Sequence, residues 1–181
     1  MNKEFAARRL DIKSFAEEGA QLAGRDTLDQ YPRLLAETQG RGAGLPLAWA
    51  AQGELRNAEH VNPQVWLHLQ ADATLPLVCQ RCLGPVDVAV TVDRSFRFVA
   101  DEETAAAQDD EAEEDLLALS ASFDLAELVE DELLMEMPVV PRHEACPEPV
   151  KLTVADKDFE AAAGARDNPF AQLEKLKTGK S

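Results

Sequence analysis

Four residues of the sequence have the types and the spacing of a metal-binding site. Cys79 and Cys82 form a C-x-x-C motif, and His143 and Cys146 repeat the same spacing later in the chain. Zinc prefers four sulfur or nitrogen ligands in a tetrahedron, and two ligands separated by two residues can both point into one pocket. The pattern therefore predicts a zinc site formed by Cys79, Cys82, His143 and Cys146.

Two other interpretations of the cysteines stay open. A C-x-x-C motif also serves as a redox pair, in which the first thiol usually lies at the start of a helix. Here Gly84, Pro85 and alternating valines follow the motif, which favours a strand. Arg81 would favour a thiolate, the form that both redox chemistry and zinc binding need. In the third interpretation the two cysteines are small half-buried apolar residues and His143 is an exposed loop residue.

Other catalytic patterns have little support. His60 is predicted in a loop and His68 on an exposed strand face, and neither has an evident nucleophile. The glycine-rich segment 40–44 lacks the lysine and the preceding strand that a phosphate-binding loop requires. The sequence therefore predicts a protein that is not an enzyme.

The charge balance restricts the partners that this chain attracts. Its 181 residues include 34 Asp and Glu against 18 Lys and Arg, a formal net charge of −16. Such a surface repels nucleic-acid phosphates at long range and attracts basic proteins, among them those of the ribosome. The start of the chain has no apolar run behind its charges, and no stretch approaches the roughly 20 apolar residues of a membrane span. We therefore expect a cytoplasmic protein.

The C-x-x-C motif lies between two runs of alternating apolar and polar residues. These runs, 65–78 and 86–99, are typical of strands, and a bulge is expected near Arg94 and Ser95. A short reversal between two such strands gives an antiparallel hairpin, which would place both cysteines at its tip.

Residues 27–100 are predicted to hold this hairpin together with a helix and a further strand. Pro32 is tolerated only in the first turn of a helix, so the helix starts late. Residues 45–51 alternate as a strand, and residues 53–63 are expected to form a loop with at most one short strand.

The flanking segments differ in character. Residues 1–26 are predicted to be weakly structured, and the acidic residues 101–121 to form a disordered linker, because densely packed like charges repel. Residues 122–146 are predicted to form an amphipathic helix and an extended segment packed on the β domain. Residues 147–181 are expected to be a flexible tail with a short helix at 168–177, where asparagine and proline provide a helix start.

The helix after the acidic segment is the strongest helical pattern of the chain. Either Ser122 or Asp124 can cap it, and its acidic run is expected on the solvated face: Glu130, Asp131 and Glu132. The elements together predict an α+β fold. We expect an antiparallel sheet or small open β-barrel with packed helices, an acidic disordered linker and a short C-terminal helix.

Three separated motifs resemble the YceD family, the large ribosomal RNA subunit accumulation proteins. The first is the C-x-x-C motif with its arginine and leucine, 79–83. The second runs from the helix into the proline-rich segment, 124–143, and the third is the asparagine–proline–phenylalanine motif with its following residues, 168–173. The resemblance covers most of the chain from about Leu10.

The resemblance implies a bacterial, non-enzymatic ribosome biogenesis factor that supports synthesis, processing or accumulation of 23S ribosomal RNA. Some branches of the family have further cysteines in the second half of the metal site, where this chain offers only His143 and Cys146. Because the chain is acidic, we expect it to bind a basic ribosomal protein or another large-subunit assembly factor, with direct RNA contact left open. The alternative is a zinc-binding or thiol-redox regulatory protein.

Overall fold

The computed structural model describes residues 5–147. Within them, strands and helices follow one another in this order: α1 (Ile12–Glu17), β1 (Gln21–Thr27), α2 (Pro32–Glu37), β2 (Pro46–Arg56), β3 (Gln64–Val78), β4 (Pro85–Val99), α3 (Glu102–Gln108), β5 (Asp115–Ala118) and α4 (Leu125–Met135). None of the helices among these residues is both long enough and apolar enough to cross a membrane.

The strands form one open sheet in the order β1-β2-β3-β4-β5. The first four strands are antiparallel neighbours, and β5 runs parallel to β4. The predicted α+β class is confirmed. The sheet is open, and its fifth strand makes it mixed instead of purely antiparallel.

Side chains alternate between a core face and an exposed face of this sheet. Alternate residues of β3, from Val65 to Leu77, are buried, whereas Gln70, Asp72 and Thr74 between them are exposed. Helices α1 and α4 pack on the core face: Phe15 of α1 lies against Gly53 of β2. The period-two pattern of the sequence therefore identified both faces of the long strands.

The predicted bulge near Arg94 is wrong, because β3 and β4 pair without interruption from one end to the other. Arg94 continues the core-facing series of β4, and its guanidinium donates to the carboxylate of Glu132 on α4 at 3.2 Å. In the sequence alone, a charged residue at a core-facing position looks like a break in the apolar alternation, because its partner on the helix lies far away in sequence.

The predicted solvated acidic face of α4 is also wrong for two of its three members. Glu130 and Glu132 are 6% and 5% exposed, and only Asp131 lies at the surface. Burial raises the pKa of Glu132, although the charge of Arg94 and its hydrogen bond act in the opposite direction. Helix α4 is thus buried on more than one side, which a single apolar stripe does not reveal.

The weak structure predicted for residues 1–26 is wrong for their described part, since this part contains α1 and nearly all of β1. Strand β1 lacks an apolar alternation because it is an edge strand with few large side chains toward the core. Gly24 leaves room for the indole of Trp49, whose Nε1 donates to Asp26 at 2.7 Å. The hydroxyl of Tyr31 donates to the same carboxylate at 2.8 Å, and burial together with this bond raises the pKa of Tyr31.

Strand β2 is longer than the sequence predicts. It continues through Gly53, where the sequence predicts the start of a loop, and ends at Arg56. A Cβ atom at Gly53 would lie 2.7 Å from the carbonyl oxygen of Phe15. The glycine therefore permits close packing of α1 on the strand and does not mark its end.

The predicted disordered linker 101–121 contains α3 and β5, so this prediction is wrong. Asp101 caps α3 by accepting a hydrogen bond from the backbone of Thr104 at 2.8 Å, and the bonds from Thr104 lower the pKa of Asp101. Arg97 of β4 forms an ion pair with Glu114. Because the strand provides positive charge, the acidic segment can fold against it.

Helix α4 begins at one of the two caps that the sequence predicts. Asp124 is the cap, and its carboxylate accepts hydrogen bonds from the backbone of Ala126 and Glu127 at 3.0 and 3.1 Å. Residues 125–135 form the predicted helix and pack on β3 and β4, and the segment after the helix has no regular secondary structure. The predicted tail helix at 168–177 lies outside the described residues.

Candidate metal centre

The loop 79–84 joins β3 to β4 and holds the first two candidate ligands. The amide of Cys79 donates to the carbonyl of Gly84 at 2.9 Å, and the amide of Leu83 donates to the carbonyl of Cys79 at 2.8 Å. Leu83 completes this tight reversal with a φ of 60°. The predicted hairpin with cysteines at its tip is therefore confirmed.

The segment after α4 brings the second half of the group to this loop. The amide of Gln80 donates to the carbonyl of Pro141 at 2.8 Å, which fixes the segment beside the hairpin. Prolines at 138 and 141 disfavour continuation of the helix, and the chain has no regular secondary structure when it reaches His143.

The four predicted ligands lie together. One potential ligand atom from each of Cys79, Cys82, His143 and Cys146 lies within 4.8 Å of all the others. The Sγ atom of Cys82 is 3.5 Å from Nδ1 of His143. With Zn–S near 2.3 Å and Zn–N near 2.0–2.1 Å, a tetrahedral zinc site separates sulfur from nitrogen by about 3.6 Å. The donor set and this spacing both fit zinc.

The environment of Cys79 favours its charged form. The residue is fully buried, and burial alone would raise the pKa of its thiol. Hydrogen bonds from the backbone of Cys82, His143 and Arg81, together with one from the side chain of Cys82, outweigh burial and lower the pKa of Cys79 to about 5. A thiolate held by N–H groups from both segments is the state in which cysteine binds a metal.

Two arginines lie beside the candidate ligands. Arg81 and Arg142 line a cavity of about 280 Å³ together with His143 and Glu144. Zinc bound by three thiolates and one neutral imidazole has a net charge of −1. The two guanidinium groups would help to offset that charge. The sequence motif pointed to Arg81, but nothing in the spacing indicated that Arg142 would join it.

The hairpin context bears on the redox interpretation. The C-x-x-C motif precedes strand β4 and not a helix, as the sequence predicted. The low pKa of Cys79 therefore comes from hydrogen bonds within the loop and from the facing segment, without a helix dipole. Such bonds would stabilise either a metal-bound thiolate or a reactive one.

His68 lies on the exposed face of the sheet, where the sequence placed it, but two partners were missed. Its Nδ1 is 3.1 Å from the hydroxyl of Ser95, and its Nε2 is 3.4 Å from the carboxylate of Asp93. All three residues belong to the paired part of β3 and β4. The backbone there offers no turn or helix start at which donors for an oxyanion could converge.

Comparison with protein families identifies the family that the sequence motifs resemble, whereas no solved structure gives a significant match to this chain. The family model described as "Large ribosomal RNA subunit accumulation protein YceD" matches residues 67–177, which is more than half of the chain. The match begins in β3 and includes the hairpin, α4 and all four candidate ligands. The chain therefore belongs to the YceD family of large ribosomal RNA subunit accumulation proteins.

Proposed function

We propose that this protein is a ribosome biogenesis factor that supports accumulation of the large-subunit 23S ribosomal RNA by binding an assembly partner in the cytoplasm, without catalysis. Membership of the YceD family carries this proposal, because the family is described by that role. The four candidate ligands, the β3–β4 hairpin from Leu67 onward and α4 fall within the matched residues. They form the part of the molecule on which the family role would depend.

The charge of the chain supports a protein partner. A net charge of −16 repels ribosomal RNA at long range and attracts basic ribosomal proteins. Exposed acidic side chains of α3 and its neighbours, among them Glu102 and Glu103, provide one such surface. Attraction between complementary charges accelerates association, and this attraction weakens as the salt concentration rises.

We assign a structural zinc ion to the four clustered ligands. Three cysteines and one histidine form a closed structural set, which leaves no open position for a reacting water. Zinc held by Cys79 and Cys82 on one side and by His143 on the other would fix the segment after α4 to the hairpin. The ion would then stabilise a binding surface and take no part in a reaction.

The genetic test compares a strain that lacks the gene with the same strain carrying the wild-type gene on a plasmid. We expect deletion to lower 23S RNA and free large subunits relative to 16S RNA and small subunits. Plasmid expression is expected to restore both. Unchanged 23S levels and unchanged subunit profiles in the deletion strain would reject the proposed function.

A thiol-redox regulator is the second candidate, favoured by the low pKa of Cys79 and the proximity of Cys82. Native mass spectrometry of the protein, purified under reducing conditions, separates the two. One zinc per chain, lost in Cys82→Ser and retained in the control His60→Gln, would support the structural metal. A metal-free protein that forms a reversible Cys79–Cys82 disulfide with oxidised glutathione would support the redox candidate.

A further inference from the structure

We propose that the tip of the metal-bound hairpin and the segment beside it form a docking surface for a protein segment that combines apolar side chains with carboxylates. This knuckle surface comprises Arg81, Leu83, Val139, Val140 and Arg142. The inference rests on the proposed function for the setting of the partner, which would belong to the large-subunit assembly machinery. Its geometry is independent of that function.

The aliphatic part of the knuckle surface is unusually exposed. Leu83, Val139 and Val140 are 75%, 97% and 56% exposed. The hydrogen bond from Gln80 to Pro141 holds the hairpin tip beside the segment that contains the two valines. Exposed aliphatic side chains on two neighbouring segments that a hydrogen bond holds together are a common mark of a protein-binding site.

Leu83 gives a second, independent observation. Its φ of 60° lies in the left-handed region, which favours glycine or asparagine over leucine. The side chain is also mostly exposed, so packing within the described residues does not explain why leucine occupies this position. A strained backbone position that presents an apolar side chain to solvent is explained if the side chain contacts a partner.

The charges on this surface specify the partner. Arg81 and Arg142 line the same cavity, and neither forms an ion pair with another described residue. Four other arginines of the described region are paired with carboxylates, namely Arg33, Arg56, Arg94 and Arg97, so an arginine here does not lack a carboxylate by rule. Glu144 also lines this cavity, so the local net charge is small, and a partner carboxylate would be bound through the N–H donors of the two guanidinium groups and not through net charge.

A protein segment fits these features better than RNA. Single-stranded RNA is usually recognised by bases that stack on aromatic rings, and none of the five residues of the knuckle surface is aromatic. Arginine next to apolar side chains is instead a common composition for the centre of a protein interface.

The test uses an array of overlapping peptides that covers the large-subunit ribosomal proteins and assembly factors, probed with the zinc-loaded full chain. We expect the full chain to bind peptides in which Asp or Glu lies next to aliphatic or aromatic residues. Leu83→Gly should lower affinity for these peptides at least about tenfold. The same variant should melt at the same or a higher temperature than wild type, because glycine relieves the positive φ.

Matched variants separate the surface from bulk composition. Arg81→Gln and Arg142→Gln together should weaken binding about tenfold at low salt, whereas the control Arg25→Gln should not. Val61 is 90% exposed in the loop between β2 and β3, so Val61→Gly removes an exposed aliphatic side chain elsewhere and should leave binding unchanged. The proposal would be overturned if the surface and control variants weakened peptide binding equally. It would also be overturned if the chain bound no peptide of this composition.

Two further outcomes are decisive. If Leu83→Gly abolishes binding of a single-stranded ribosomal RNA fragment and not of any peptide, the partner class is wrong. In the deletion strain, full restoration of 23S RNA by the Leu83→Gly gene would overturn the docking surface and leave the proposed function intact. A deletion strain without any 23S defect would instead reject the proposed function, and the peptide results would still decide the docking surface.

Discussion

Cys79 is the residue at which the fold and the metal chemistry meet. It ends the run of core-facing positions in β3, and it is fully buried. Its sulfur accepts hydrogen bonds from both the hairpin loop and the segment after α4. These bonds stabilise the thiolate before any metal binds, which reduces the proton release that binding requires.

The metal-free protein should show this thiolate in a pH titration. We expect the ultraviolet thiolate absorbance of the reduced, metal-free chain to contain one step with a midpoint at about 5, the lowered pKa of Cys79. Because the pKa is lowered on folding, the thiolate contributes stability that is full above about pH 8.5 and is lost as the pH falls through 5.

Cys79→Ser is expected to remove that step, and Cys146→Ser is the matched control that should retain it. Melting temperatures of the wild-type chain should decrease as the pH falls from 8 to 5 by more than those of Cys79→Ser. Steps only near the ordinary cysteine pKa would show that the N–H groups do not hold the thiolate in solution.

At the residue scale, the sequence revealed the candidate ligands and concealed the buried charges. The grouping of Cys79, Cys82, His143 and Cys146 was predictable because metal ligation would limit residue type and spacing together. Glu130 was not, since burial of a carboxylate depends on donors that lie far away in sequence. Its partners are Arg33 and the start of α2, about a hundred residues earlier.

At the scale of elements, α4 holds α2 in place through this carboxylate. Helix α2 begins at Pro32 without a side-chain cap of its own. Glu130 accepts hydrogen bonds from the backbone N–H groups of Arg33 and Leu34 at 2.7 and 3.2 Å, and from the Arg33 guanidinium at 3.0 Å. An acidic side chain from one helix thus provides the N-terminal cap of another.

Loss of this interhelical cap should destabilise the whole domain. We expect Glu130→Ala to lower the free energy of unfolding by about 2–4 kcal/mol, because buried donors lose their acceptor. Asp131→Ala removes an exposed carboxylate that pairs with the same arginine and should cost less than about 1 kcal/mol. Chemical denaturation of both variants gives the comparison, and equal losses would contradict an internal cap.

The packing of α1 on β2 gives a second prediction for the elements. Gly53→Ala should destabilise the protein by about 1–3 kcal/mol, since the new Cβ would collide with the backbone of Phe15. Gly44→Ala meets no atom within 4 Å and is expected to be neutral within about 0.5 kcal/mol. Thermal melts of the two variants would test the contact. A harmless Gly53→Ala would mean that α1 can move away from the strand at little cost.

Elements were predictable where one face of a strand is apolar throughout. Strands β3 and β4 satisfy that condition along their whole length, and their prediction is confirmed. Strand β1 fails it because a glycine and an aspartate occupy core-facing positions and meet Trp49 from the next strand. The sequence predicts disorder for the segment 101–121 because its counter-charges, Arg94 and Arg97, belong to a different element.

At the scale of the whole molecule, the sheet core and the four candidate ligands lie in different regions. The sheet buries an aliphatic core that includes Leu67, Leu69 and Leu75, each with no exposed surface. The candidate ligands lie at the end of the β3–β4 hairpin, and Cys79 is the fully buried one among them. The domain should therefore fold without the metal, in contrast to small zinc domains whose folding depends on it.

Removal of the metal should loosen one region and leave the other unchanged. We expect a zinc chelator to accelerate hydrogen exchange in peptides that cover residues 79–84 and 138–144. The bond from the Gln80 amide to Pro141 is the first that should open. Peptides from the centre of β3 should exchange as slowly as before, because their amides belong to the ladder with β2 and β4.

The controls for this experiment follow from the same division. Added zinc should reverse the change in the wild-type chain, and Cys82→Ser should exchange rapidly at the hairpin with or without zinc. Free zinc should raise the melting temperature in proportion to the logarithm of its concentration, by mass action on the folded state. Faster exchange throughout the sheet after chelation would contradict this division, because it would mean that the metal supports the core itself.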